Sequence, residues 1–215
     1  MTALRLFAMG ALLFLVVSNL DRGEEFSWRD DPLDRYPPTA VRYFQSGVLA
    51  PEPDLERMMR RFYSAHLAAL REPSLRYPGA GEEREVYRLL WLRTFQEPVA
   101  VRVVFSPDAG ATLFVKITDG YGGYEAGRLR SRRVRALSVA EIATLRAALA
   151  RAAFWSQPVE DAARRTGIDG VRWIVEGADR GRYHVVHRWS PESGPFKDLG
   201  LILLKLGQVR TDPLY

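Results

Sequence analysis

Val86-Tyr87-Arg88-Leu89-Leu90-Trp91-Leu92-Arg93-Thr94-Phe95, followed after Pro98 by Val99-Ala100-Val101-Arg102-Val103-Val104-Phe105, is the stretch on which the fold turns. Its period is two. Tyr87, Leu89, Trp91, Arg93 and Phe95 alternate with Arg88, Leu90, Leu92 and Thr94, so successive side chains leave opposite sides of an extended chain. Pro98 interrupts the run, since it lacks an N–H for a ladder. Val99, Val101, Val103 and Phe105 then share one face of a second strand. Ser106-Pro107-Asp108-Ala109-Gly110 supplies turn chemistry, and Leu113, Val115 and Ile117 form the matching face of a third strand, completing a β-hairpin.

Further along the chain, Asp119-Gly120-Tyr121-Gly122-Gly123 reads as another turn. The extended stretch 125–136 carries Arg128, Arg130, Arg132, Arg133 and Arg135, and cations on both faces predict an edge strand. Ser138-Val139-Ala140-Glu141 has the capping-box spacing and opens a helix with Ile142, Leu145, Leu149 and Ala152 on its apolar stripe. Val171, Trp173 and Val175 begin another strand, Asp179-Arg180-Gly181 turns it, and Arg182 to Trp189 return. Gly194-Pro195 opens a last helix that runs to Gly207. Upstream, Leu55, Met58, Met59, Phe62, Tyr63, His66, Leu67 and Leu70 give a helical stripe over 54–71, with Asp54 as its N-cap and Pro73 beyond its end. The order α-β-β-β-β-α-β-β-α predicts an α+β fold, an antiparallel β-sheet with helices packed on one face, preceded by an N-terminal hydrophobic helix.

That first helix is the clearest signal of location. Leu6 to Leu20 run without a charge, after Arg5 and before Asp21-Arg22-Gly23-Glu24-Glu25. A basic start, an apolar stretch and a polar exit describe a secretory signal. Counted from Ala3, the stretch also reaches the lower limit for a bilayer span. Residues 1–20 are therefore expected to be a signal peptide or membrane anchor, 21–53 a Pro-rich polar linker, and 54–215 one α+β domain. Charge bias across the segment directs the body outward. The expected location is the inner membrane, with a single anchor at residues 3–20 and a periplasmic body, or the periplasm after cleavage.

Composition narrows the chemistry. The net charge is +5, but only Lys116, Lys197 and Lys205 are lysines among 31 basic residues, and 26 acids offset them. Nucleic acid is not an expected partner, for no reading helix or exposed stacking set is identifiable. Cysteine is absent, which excludes disulfides and thiolate sites. His184 and His187 are three apart on one strand, face opposite ways, and cannot share a metal ion without a bulge. No metal and no cofactor is expected.

Three uses of the domain follow. The first is a non-enzymatic, envelope-facing interaction or structural domain, its protein partner undefined. The second is a hydrolase: Glu176, on the partner strand, would reach His184 or Arg188 for acid–base work. The competing view of those groups is a polar pair on a solvent face. The third is an anionic-surface binder, for lipid or polymer, using Arg128, Arg130, Arg132, Arg133 and Arg135, with Trp189 a further candidate binding residue.

Several stretches carry a resemblance: Tyr87 to Phe95, Asp119-Gly120-x-Gly122-Gly123-Tyr124, Ser138-x-x-Glu141, and Asp169-Gly170-x-x-Trp173-Ile174-x-Glu176-Gly177 with Tyr183-His184-Val185-Val186-x-Arg188-Trp189-Ser190-Pro191. Over residues 86–206 the chain resembles a bacterial family of exported or membrane-anchored proteins without an established activity. The resemblance therefore implies no catalytic residues. It directs attention to Glu176, His184, Arg188 and Trp189.

Overall fold

The structure is a computed structural model and describes residues 43–76, 85–108, 110–161, 167 and 169–214. The expected anchor at 1–20 and most of the linker lie outside the described residues. Six strands form one antiparallel sheet: β1 (Val86–Arg93), β2 (Val99–Phe105), β3 (Ala111–Thr118), β4 (Leu129–Ala136), β5 (Val171–Asp179) and β6 (Arg182–Trp189). The spatial order is β4-β3-β2-β1-β5-β6. The first four strands form a meander. The chain then crosses over, and the hairpin β5–β6 adds on the free side of β1. The Arg-rich β4 is an edge strand, as its charge pattern predicts.

Among the described residues, three α-helices complete the architecture: α1 (Pro53–Ala69), α2 (Val139–Arg151) and α3 (Pro195–Leu206). The α2 capping box forms as read, with Ser138 Oγ accepting from the Glu141 N–H and Glu141 accepting from the Ser138 N–H. The cap of α1 is Glu52 rather than Asp54, because Pro53, whose ring presets a helical φ, takes the first helical turn.

The helices do not share one face, which corrects the expectation. Tyr87, Leu89, Trp91, Val101, Val115, Trp173 and Val175 pack with α2 and α3 on one side. Leu90, Leu92, Ala100, Ile174 and Val185 pack with α1 on the other, joined by Phe44, Leu49 and Ala50 from the end of the Pro-rich stretch. The cause lies in β1 itself. Leu90 and Leu92 on its second face are as apolar as Leu89 and Trp91 on its first, so a sheet with one wet face would leave them in water. β1 is one of the two central strands and β5 lies beside it, and both are buried on both sides almost throughout.

The two layers do not cover the sheet equally. The α1 layer reaches β6, β5, β1 and one residue of β2, and contains no residue of β3 or β4.

Candidate functional site: a buried ion network under the first helix

Three strands place basic groups on the α1 side of the sheet. Register sets Arg88 of β1 between Arg102 of β2 and Glu176 of β5, and Lys116 of β3 opposite Ala100 of β2. Arg88 Nε and Nη2 donate to Glu176 Oε2 at 2.9 and 2.5 Å. The Tyr183 hydroxyl donates to Glu176 Oε1 at 2.9 Å. A second carboxylate descends from above. After α1 the chain turns through Arg71, at φ 51°, and Glu72 points down onto the sheet. Its Oε2 lies 2.7 Å from Arg102 Nε and 3.5 Å from Arg88 Nη1, and its Oε1 lies 2.8 Å from Lys116 Nζ. Arg88 Nη1 also donates to the Pro73 carbonyl at 2.6 Å, Lys116 Nζ to the Arg71 carbonyl, and the Tyr43 hydroxyl to the Glu72 carbonyl at 2.7 Å.

The centre of the arrangement is closed to water, and Arg102 at its border is partly exposed. Arg88 and Glu176 are fully buried. Burial opposes ionisation of Arg88, but the carboxylates of Glu176 and Glu72 outweigh it and its pKa is raised. Burial likewise opposes ionisation of Glu72, and Arg88, Arg102 and Lys116 outweigh it and lower its pKa. Burial holds the Tyr183 hydroxyl well above its usual range, with Glu176 adding to the shift. Chemically, the network fastens the 71–76 segment to three strands at once.

The expected acid–base pair is not assembled. Glu176 faces α1 with Tyr183 and Val185, whereas His184 faces the α2 side, its ring 5.3 Å from that of Phe154. His184 Nε2 lies 3.0 Å from the Gln157 carbonyl. Arg188 also points away from Glu176 and donates to Gln157 Oε1 and the carbonyls of Pro158, Val159 and His187. The polar pair on a solvent face is equally absent, since Glu176 is buried with Arg88. The parity of β5 against β6 decides both points: antiparallel partners Glu176 and Val185 share a face, and His184 is one residue off.

The arginine run divides in a similar way. Arg135 is paired with Glu141 and donates to the Leu206 carbonyl, Arg133 donates to the Gly207 carbonyl, and Arg130 is paired with Glu97. The side chains of Arg128 and Arg132 stand exposed. Trp189 faces the α1 side, with Arg172 4.7 Å over its ring. A cavity of about 290 Å³ between β3, β4 and the end of α3 is lined by Leu113, Val115, Arg133, Val134, Arg135, Gly207 and Gln208. None of these side chains is a general base at neutral pH.

Four residues of the quoted motifs, Thr94, Gly122, Gly170 and Ser190, meet at one end of the sheet. The Gly122 N–H donates to the Gln96 carbonyl at 2.8 Å, and the Thr94 N–H to the Gly170 carbonyl at 3.0 Å. The Val171 N–H donates to Ser190 Oγ at 3.0 Å. A Cβ on Gly122 would sit 2.6 Å from the Arg93 carbonyl oxygen, and one on Gly170 2.7 Å from the Trp189 ring. These glycines let backbone and indole approach closely, so the motif serves packing at this position.

All three histidines sit beside backbone carbonyls. Burial, the largest cause in each case, lowers the pKa of His66 and of His187 from 6.5 to about 4. Both are neutral in the fold at neutral pH. The unfolded chain takes up a proton on each as pH drops below 6.5, while the fold resists until about 4. Their contribution is therefore intact above 6.5 and lost as pH falls toward 4, by as much as about 3 kcal/mol per imidazole. Urea midpoints taken between pH 6.5 and 4 should fall steadily, and a flat profile across that window would contradict these assignments.

The network was missed at the level of sequence, although a signal existed. Arg88 and Lys116 each interrupt a strand that otherwise reads as buried. Among the described residues, no group of three or more His, Asp or Glu side chains could hold a metal ion, and no helix is long and apolar enough to cross a membrane. No family model matches the chain, and no curated protein or solved structure matches it.

Proposed function

We propose that the chain is a non-enzymatic domain held at, or exported across, the inner membrane, serving an interaction or structural role on the envelope side. The observation that carries this reading is the uninterrupted apolar run Leu6–Leu20, between Arg5 and an acidic exit. The lack of an assembled acid–base pair supports it: Glu176 and His184 leave opposite faces of the sheet, and Glu176 is neutralised by Arg88 in a closed interior.

Fractionation of cells expressing the full chain tests the proposal. The protein should appear in the membrane or the periplasm, and alkaline extraction should separate a retained anchor from a cleaved signal. Leu13→Arg should retain it in the cytosol, since a cation at the centre of such a segment costs about 2.5–3.5 kcal/mol of insertion. Recovery of the wild-type chain as soluble cytosolic protein would overturn the reading.

A further inference from the structure

The α1 side of the sheet is built in two halves. One half is covered by α1. The other carries Val104 of β2, Phe114 of β3, and Arg132 and Val134 of β4. Register makes these neighbours, with Val134 opposite Phe114, Phe114 opposite Arg102, and Arg132 opposite Lys116. Val104, Phe114 and Val134 belong to neither core layer, and Val134 is 49% exposed. Apolar groups and cations therefore share one flat face that no described helix covers.

Its charge is one-sided. Among the described residues, the buried Arg88 and Lys116 and the partly exposed Arg102 are bonded to Glu72 and Glu176, Arg130 is bonded to Glu97, and the exposed Arg132 adds a further cation. Arg132 lies opposite Lys116, whose ammonium is already paired with Glu72, so the exposed guanidinium of Arg132 is the group that an external anion would meet. The described chain also starts on this side, where the Tyr43 hydroxyl bonds the Glu72 carbonyl and its ring lies 5.8 Å from the Arg88 guanidinium carbon. Residues 1–42 thus join the body on the sheet side that bears the open face.

We propose that the half of the α1 side of the sheet that no described helix covers, formed by Val104, Phe114, Arg132 and Val134, docks on the anionic surface of the bilayer that tethers the chain. The inference rests on the membrane-tether reading and adds an orientation to it. Interfacial binding combines buried apolar area with attraction between cations and anionic headgroups, and this face supplies both. Nucleic acid fits less well. The Arg102 guanidinium lies 4.2 Å over the Phe114 ring and occupies a surface on which a base would stack.

The natural chain has no cysteine, so a single reporter can be placed cleanly. The full-length chain is reconstituted into nanodiscs of phosphatidylcholine alone or with phosphatidylglycerol. An environment-sensitive fluorophore is attached through Val134→Cys or, as a control, through Val139→Cys at the start of α2, where the side chain is 85% exposed on the other side of the sheet. Co-elution with the discs reads the tether separately from the docking. The expected result is protection of the Val134 label from an aqueous quencher in phosphatidylglycerol discs only, reversed by high salt, with the Val139 label unchanged. Arg132→Gln should shift the docked-to-free ratio about fivefold toward free, the value of one cation at such a surface. Co-elution with equal quenching of both labels would overturn the docking and leave the tether standing. Failure to co-elute would remove both. Protection that persists in phosphatidylcholine discs, or that polyphosphate reproduces but the anionic discs do not, would assign the face to another occupant and end the proposal.

Discussion

Arg88→Met will destabilise the domain by about 3–5 kcal/mol, the range for removing one partner of a buried ion pair. The cost arises mainly from what stays behind. Glu176 is fully buried, and without Arg88 it keeps, among the described residues, the Tyr183 hydroxyl as a donor. Glu72 loses its more distant contact but retains Arg102 and Lys116. Glu176→Gln should cost less, because an amide carries no charge into the interior and its oxygen can still accept from Arg88. The decisive variant is Arg88→Met with Glu176→Met, which removes both charges. Its loss should be clearly smaller than the sum of the single Met substitutions, since neither charge is then stranded. Urea unfolding followed by tryptophan fluorescence measures the wild type and each of these variants. Additive losses would mean that Arg88 and Glu176 are held independently, against the 2.5 Å contact between them.

Trp173→Ala will cost about 3–5 kcal/mol through the cavity it opens. Trp173 is fully buried at the centre of the α2–α3 layer, in an edge-on contact with Trp91 at 5.9 Å. Gly200 of α3 fits directly against it, and a Cβ there would lie 2.3 Å from Trp173 Cε3 and Cζ3. A mid-helix glycine weakens a helix by about 1 kcal/mol relative to alanine. Here it allows α3 to lie close over the indole. Gly200→Ala in the wild-type background should therefore be destabilising in spite of its better propensity. In the Trp173→Ala background the same substitution should become neutral or stabilising, because the clash is gone and the propensity gain remains. A destabilisation by Gly200→Ala that is equal in both backgrounds would show that the indole does not set the helix position.

Together these two sites account for the separate sides of the sheet. One is apolar, dry and shape-matched. The other is held by ionic groups converging from three strands on the loop that follows α1. The asymmetry bears on function. The network bonds the segment after α1 to β1, β2 and β3, at the border between the half of the α1 side that α1 covers and the half that carries Val104, Phe114 and Val134.

Local patterns in the sequence determined much of this protein. Period two over 86–118 made the hairpin, the Ser138–Glu141 spacing made the cap of α2, and charge on both faces of 128–135 marked β4 as an edge. Each depends on neighbours within a few residues, where propensity, capping and alternation act directly. Tertiary structure alone decided three things: that β5–β6 adds beside β1, that helices cover both sides, and that Glu176 meets Arg88 rather than His184. Arg88 and Glu176 are 88 positions apart. No periodicity within either strand encodes their register, which comes from the way two apolar faces of β1 are both removed from water.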